Sequence, residues 1–349
     1  MFDVADNRDA VSRFKSSRRS FLQSALVGAS IGLSGAFSQT ASAEASEIRL
    51  ANQYGFGHLP LTIMKDQKII EKHAAAAGIP LKVSWINTQG SATYEALVSG
   101  SVDVISAGLP GVFNLWDKTR GAVRAIGPAG AVPMVLVTRN PKVLSVKDFT
   151  DADRIAVPTV RVSPQAIFLQ QAAAEAFGPT NFNKLDHLTV SLSHPDALAA
   201  FLSGGEVNAH FSIAPFLAQE LKVPGTRAIL DSGETPNGPT TQVVLASTQK
   251  FREQNPKLFA IFFAAYKETL ESIAADSRRT AESYLRESGD KTSLEDTTRQ
   301  LTELRRYYDI VPRNTLALAK FMNDIGTIKT RPATWKEFYF PEIHNLAGS

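Results

Sequence analysis

The stretch Glu95-Ala-Leu-Val-Ser-Gly-Ser-Val-Asp-Val-Ile105 returns, one glycine longer, as Leu198-Ala-Ala-Phe-Leu-Ser-Gly-Gly-Glu-Val-Asn-Ala209. Each copy reads as the end of a helix, a glycine stop, then a strand. The apolar residues before the stop have helical spacing, Gly100 and Gly204 suit a left-handed C-terminal cap, and the run after each suits a buried strand. The residues upstream of the two copies also match in order. A chain built twice from one unit predicts two similar lobes, and two lobes make a cleft.

In the first unit, Ile48–Leu50 reads as a strand, 53–58 as a glycine-bearing loop and Leu59–Ala77 as one helix stopped by Gly78-Ile-Pro80. Leu81–Ile86 follows as a strand. Ser91 is placed as the N-cap of a helix through Val98, and Val102–Ser106 as the next strand. The second unit runs in the same order: strand Arg154–Val157, helix Pro164–Phe177, strand His187–Leu192, a helix capped by Asp196, and strand Val207–Phe211. Strands alternating with helices predict parallel α/β sheets. Ligands of such sheets sit beyond the carboxyl ends of the strands, here the loops at 53–59, 87–91, 107–111, 158–163, 193–196 and 212–215. Crossings between the lobes are expected near Gly130–Met134 and Pro239–Val243. That puts 46–131 and 242–349 in the first lobe, with the C-terminal helices Pro256–Ser272, Ser277–Glu287 and Leu294–Tyr308, and 132–241 in the second.

At 349 residues the chain has room for two domains, and 44% hydrophobic with 20% charged residues is ordinary for a globular protein. A net charge of +3 without a basic stripe argues against nucleic acid as a partner. With no cysteine, disulfides, thiolate metal sites and cysteine nucleophiles are excluded. Ser17-Arg-Arg-Ser-Phe-Leu22, a weakly apolar stretch to about Phe37 and the small residues Ala41-Ser-Ala43 read as an export leader of twin-arginine type over 1–43. Cleavage near Ala43 would deliver a periplasmic protein. Gly28-Ala-Ser-Ile-Gly32 has the spacing of a hydrolase nucleophile elbow but falls inside that leader, where no strand–turn–helix can present it.

Six histidines occur, and none has the spacing of a zinc site with neighbouring carboxylates. No phosphate loop or dinucleotide fingerprint is present. No metal, cofactor or catalytic residue is therefore expected. An enzyme using His58 or His194, both on cleft loops, remains the alternative, and a ligand-sensing module a third. Binding has better support. Ser163-Pro164 is a well-formed helix start whose free amides and dipole favour an anion, with Arg161 near enough in sequence to add a guanidinium fork. Ser91 opens the matching helix of the other lobe. Tyr54, Phe56, Leu109, Pro110 and Phe216 are placed as apolar walls or, equally, as hinge or core packing. Gln89, Gly108, Ser212 and Pro215 join them from the same loops.

Ala96-Leu-Val-Ser-Gly-Ser-Val-Asp-Val104 with Gly108, Arg154-Ile-Ala-Val-Pro158 and Phe251-Arg-Glu-Gln-Asn-Pro256 carry a family likeness. Over most of the chain after the leader, the sequence resembles the periplasmic substrate-binding proteins of the nitrate/sulfonate/taurine class of ABC importers. The resemblance implies a two-lobed periplasmic-binding-protein fold, type II-like, with the ligand cleft between lobes. It implies a monomer that hands a small anionic solute to an inner-membrane permease. It also implies a binding role for Ser91, Gly108, Ser163 and the loop of Pro215.

Overall fold

The computed structural model describes residues 44–235 and 238–349. The export leader therefore lies outside the described residues. Ten strands follow in chain order: β1 (Glu47–Asn52), β2 (Lys82–Asn87), β3 (Val104–Gly108), β4 (Val123–Gly130), β5 (Val135–Thr138), β6 (Ile155–Val157), β7 (Thr189–Ser191), β8 (Ala209–Ser212), β9 (Arg227–Asp231) and β10 (Val243–Thr248). The helices are α1 (Leu59–Gln67), α2 (Ile69–Ala76), α3 (Ser91–Val98), α4 (Leu109–Lys118), α5 (Pro164–Phe177), α6 (His194–Ser203), α7 (Phe216–Glu220), α8 (Gln249–Gln254), α9 (Pro256–Ala275), α10 (Ser277–Ser288), α11 (Leu294–Leu304) and α12 (Thr315–Asp324).

The strands make two five-stranded sheets, ordered β2-β1-β3-β10-β4 and β7-β6-β8-β5-β9. The repeat is visible position by position. β2, β1 and β3 pair in parallel, as do β7, β6 and β8. In each sheet the fourth strand, β10 or β5, runs antiparallel to both neighbours. That strand is the one the chain enters on crossing from the other lobe: β4 leads to β5, and β9 leads back to β10. Two connecting segments thus tie the lobes, a geometry suited to hinge closure.

Alternation along β10 shows how the first lobe is packed. Val243 and Leu245 join one hydrophobic cluster, with Leu50, Leu59, Phe262 and Tyr266, while Val244 and Ala246 join a second with Ile105, Phe113 and Phe338. Period-two alternation sends successive side chains to opposite faces, so this sheet is covered on both sides, as parallel-rich sheets require. A third cluster, built on Leu136, Ile155, Leu169 and Phe211, fills the second lobe. Full burial of each such side chain contributes roughly 1.5–3 kcal/mol. The long C-terminal helix α9 sits on the first lobe, its Tyr266 hydroxyl donating to the Pro128 carbonyl at 2.6 Å. Among the described residues no helix is long and apolar enough to cross a membrane.

Several expected elements shift. The helix expected over Leu59–Ala77 breaks at Lys68, whose backbone is left-handed (φ 51°) and separates α1 from α2. Periodicity alone does not register such a break, because the apolar residues on either side stay in phase. The strand expected over 102–106 forms two residues later, at 104–108, where it pairs with β10. Helix α4 takes up the residues expected as an exit loop after 107, with Pro110 in its first turn, a position where proline costs nothing. Gly204 does cap α6 in the left-handed conformation (φ 80°), and Gly100 follows α3 with φ 74°.

Candidate functional site between the lobes

A cavity of about 460 Å³ lies where the strand ends of the two sheets face each other. The first lobe supplies Gln53, Tyr54, Gly57 and His58 after β1, Gln89, Gly90 and Ser91 after β2, Tyr94 from α3, and Gly108 at the end of β3. The second lobe supplies Pro158, Thr159, Ser163, Pro164 and Gln165 after β6, Ser191–His194 with Asp196 after β7, and Ile213 after β8. The crossing segments add Gly130, Val132, Met134, Gln242 and Val243.

The lobes touch around this space. The Phe56 amide donates to the Ala214 carbonyl at 2.9 Å. A methyl group placed on Gly108 would stand 2.6 Å from Cδ of Pro164 in the other lobe, so only a hydrogen permits this approach. The Tyr94 hydroxyl donates to the Gly108 carbonyl at 3.1 Å and holds α3 against the end of β3.

Three helix starts contribute to the lining, and they differ. Ser163 caps α5, its hydroxyl accepting from the Ala166 amide at 3.2 Å, and Ser193 caps α6, accepting from the Asp196 amide at 3.3 Å. Helix α3 has Gly90 at its N-cap position and no side-chain cap. Ser91 is thus the first helical residue rather than the cap, and the cap expected of Asp196 is Ser193. Both corrections have one cause: helix starts are fixed by backbone geometry, and Ser, Asp and Gly are all acceptable there.

Among the described residues no lysine or arginine lines the cavity, and Asp196 is the acidic side chain on its walls. His58 is 8% exposed, with Nδ1 at 2.8 Å from the Ser106 hydroxyl, and burial lowers its pKa from 6.5 to about 3. Burial also drives His194 well below the usual histidine range, with smaller contributions from His210 and His58. Both rings are therefore neutral at pH 7.

Behind His194 lies a buried chain of hydrogen bonds. Gln165 Nε2 is 3.2 Å from His194 Nε2, His194 Nδ1 is 2.9 Å from His210 Nε2, and His210 Nδ1 is 2.5 Å from Glu220 Oε1. His210 and Glu220 are wholly buried. Phe216 stacks on the His194 ring at 5.6 Å and fixes its plane.

Of the residues singled out in the sequence, Tyr54, His58, Gln89, Ser91, Gly108, Ser163 and His194 are brought together on this cavity. The others are elsewhere. Phe56 is wholly buried and packs edge-on against Tyr284 at 4.8 Å, so it serves the core. Leu109 and Pro110 are buried in the first turn of α4 and contribute packing, not cavity wall. Ser212 is wholly buried within β8 and Pro215 is buried, and from this loop Ile213 lines the cavity instead.

Arg161 points away from the cavity. Its side chain is 75% exposed, its Nε is 3.8 Å from Asp186 Oδ2, and it lines an outer groove with Val162 and Gln170. The left-handed backbone at Arg161 (φ 64°) turns the loop outward just before α5. Gln165, His210 and Glu220 were missed. Gln165 follows the Ser163-Pro164 start directly, and its place in the first turn of a cleft-facing helix was the available signal. His210 and Glu220 carry none, since a strand and a short helix meet only in the folded chain.

No family model and no curated protein matches the sequence. Solved structures do. The chain is similar to the alkanesulfonate-binding protein SsuA from Xanthomonas axonopodis pv. citri bound to MOPS, at 17% identity, covering 83% of this chain and 96% of that one, TM-score 0.66. It is similar to the periplasmic aliphatic sulphonate binding protein SsuA from Escherichia coli, at 17% identity over 85% and 92% of the two chains, TM-score 0.62. The periplasmic nitrate-binding protein NrtA from Synechocystis PCC 6803 aligns at 15% identity over 74% and 70%, TM-score 0.59. Identities this low carry the architecture and not the ligand. The chain has the two-lobed α/β fold of the periplasmic solute-binding proteins.

Proposed function

We propose that the protein is the extracytoplasmic solute-binding component of an ABC importer. It captures a small anionic organic solute of the sulfonate, taurine or nitrate kind between its lobes and presents the closed form to an inner-membrane permease. The observation that carries this reading is the 460 Å³ cavity walled by both lobes and both crossing segments, a volume in the range of small-molecule sites. A solute there touches both lobes, so it stabilises the closed arrangement by its differential affinity for it. An anionic head is supported by the uncapped start of α3, whose first-turn amides and helix dipole favour negative charge. With no lysine or arginine on the walls, the anion would be held by dipoles and hydrogen bonds alone.

Capture without turnover is supported by how the two candidate bases are held. Ser106, beside His58, is wholly buried and does not line the cavity, so it is not placed as a nucleophile. His194 has both ring nitrogens within hydrogen-bond distance of protein groups. Export to the periplasm, a monomeric state and independence of cofactors complete the reading.

Mass spectrometry of the small molecules released from the purified protein, followed by thermal-shift titration with sulfonates, nitrate and neutral solutes, tests it. A solute at 100 times its Kd should stabilise the fold by about 2.7 kcal/mol. A flat response across the whole panel, with nothing co-purifying, would refute solute capture.

A further inference from the structure

A chain of hydrogen bonds runs from the Gln165 amide through His194 and His210 to Glu220, with one consistent direction. An amide nitrogen only donates, so His194 Nε2, 3.2 Å away, accepts. His194 is neutral because it is buried, so its single proton is on Nδ1 and is donated to His210 Nε2 at 2.9 Å. The remaining nitrogen of His210, Nδ1, then donates to Glu220 Oε1 at 2.5 Å. The chain ends on a carboxylate oxygen that accepts. Each link then has one donor and one acceptor, from the amide nitrogen to the carboxylate.

Two acceptors of this chain are left over, Glu220 Oε2 and Gln165 Oε1, and of the two only Gln165 is on the cavity wall. Gln165 is 5% exposed, lines the cavity, and its Oε1 has no hydrogen-bond partner. A buried acceptor without a partner is costly, and buried polar groups in folded proteins are otherwise paired. We infer that Gln165 Oε1 accepts a hydrogen bond from an N–H or O–H group on the bound solute. His194, His210 and Glu220 act as positioning residues that keep the oxygen, rather than the NH2, turned to the cavity. This rests on the solute-binding reading and narrows it. The solute carries a hydrogen-bond donor in addition to any anionic head, which excludes a bare oxyanion such as nitrate as the preferred ligand.

The test uses solutes that share a head and differ in the donor. Isothermal titration or ligand-observed NMR would compare ethanesulfonate with 2-hydroxyethanesulfonate and 2-aminoethanesulfonate, and N,N-dimethylacetamide with acetamide as an uncharged pair. The donor-bearing member should bind at least about tenfold more tightly, the effect of satisfying a buried acceptor, and Gln165→Leu should bring the ratio close to one. Equal affinities in the native protein, or a preference that survives in Gln165→Leu, would overturn the assignment while leaving solute capture standing. Binding of no member of either series, with nothing co-purifying and a flat response across the wider panel, would remove solute capture and this inference together.

A second measurement needs no ligand and no substitution. Nitrogen-15 NMR of histidine-labelled protein should show His194 and His210 both as the Nδ1–H tautomer. An Nε2–H signal for either ring would overturn the relay. Glu220→Gln, which can donate as well as accept, should let the tautomers mix and weaken the donor preference. A purely structural Glu220 would leave both unchanged in the folded protein.

Discussion

Replacing Gly108 with alanine separates closure from folding. Gly108 has φ −60° and ψ 131°, ordinary extended backbone that alanine adopts without strain. The obstacle is external. The new methyl carbon would lie 2.6 Å from Cδ and 2.9 Å from Cγ of Pro164, and 3.3 Å from the Tyr94 hydroxyl. Comfortable carbon–carbon contact begins at about 3.5 Å, so the Pro164 ring must retreat by about 1 Å. It cannot do so by rotating, because the ring is part of the backbone and opens helix α5. The lobes must part instead.

Overpacking of this kind costs about 1–3 kcal/mol. If only the closed form has this contact, that cost appears as a 5- to 150-fold loss of solute affinity, by the relation of about 1.4 kcal/mol per factor of ten. The ligand-free protein, free to open, should keep its melting temperature within about 2 °C. Calorimetric titration gives the affinity. Small-angle scattering of the solute-saturated protein should give a larger radius of gyration for the variant than for the native chain. Unchanged affinity together with unchanged scattering would refute the claim that closure brings Gly108 onto Pro164.

Three further outcomes follow from the same geometry. Phe56→Ala removes a wholly buried ring packed on Tyr284 and should cost about 3–5 kcal/mol in urea unfolding, with any change in solute affinity following from the fold and not from a lost contact. Arg161→Ala should leave solute affinity within about twofold by titration, because the guanidinium is exposed and paired with Asp186 outside the cavity. Acid should destabilise the protein through its buried histidines. The folded-state pKa of His58 is lowered to about 3 from 6.5, so the unfolded chain binds the extra proton first and stability falls as pH drops from 6.5 towards 3. Each such histidine contributes a slope of about 1.4 kcal/mol per pH unit inside that window, and His58→Gln should flatten the measured slope between about pH 5.5 and 4 by that amount.

The repeat was the most legible part of the chain. Glycine stops and alternating apolar runs are local signals, and the strand–helix alternation they imposed recurs in both lobes. The helix break at Lys68 and the helix starting at Leu109 were not legible, because neither disturbs the hydrophobic phase of its neighbours. The site divides in the same way. The loops at strand ends that drew attention to His58, Ser91, Ser163 and His194 do bring these residues to one cavity. Membership of such a loop does not say which way a side chain points, and Phe56 and Arg161 turned in opposite wrong directions, one into the core and one out to solvent.

The sequence by itself determined that there would be two α/β units, in what order their strands and helices would follow, and that no cysteine chemistry was available, since all three depend on residue type and short-range spacing. Only the tertiary structure decided that Gly108 meets Pro164, that no lysine or arginine reaches the cavity walls, and that Glu220 governs Gln165 through two histidines. These pairs lie 10 to 56 positions apart on different elements. Hydrogen-bond direction and van der Waals fit depend on distances of a few tenths of an ångström, which long-range packing sets and residue spacing does not.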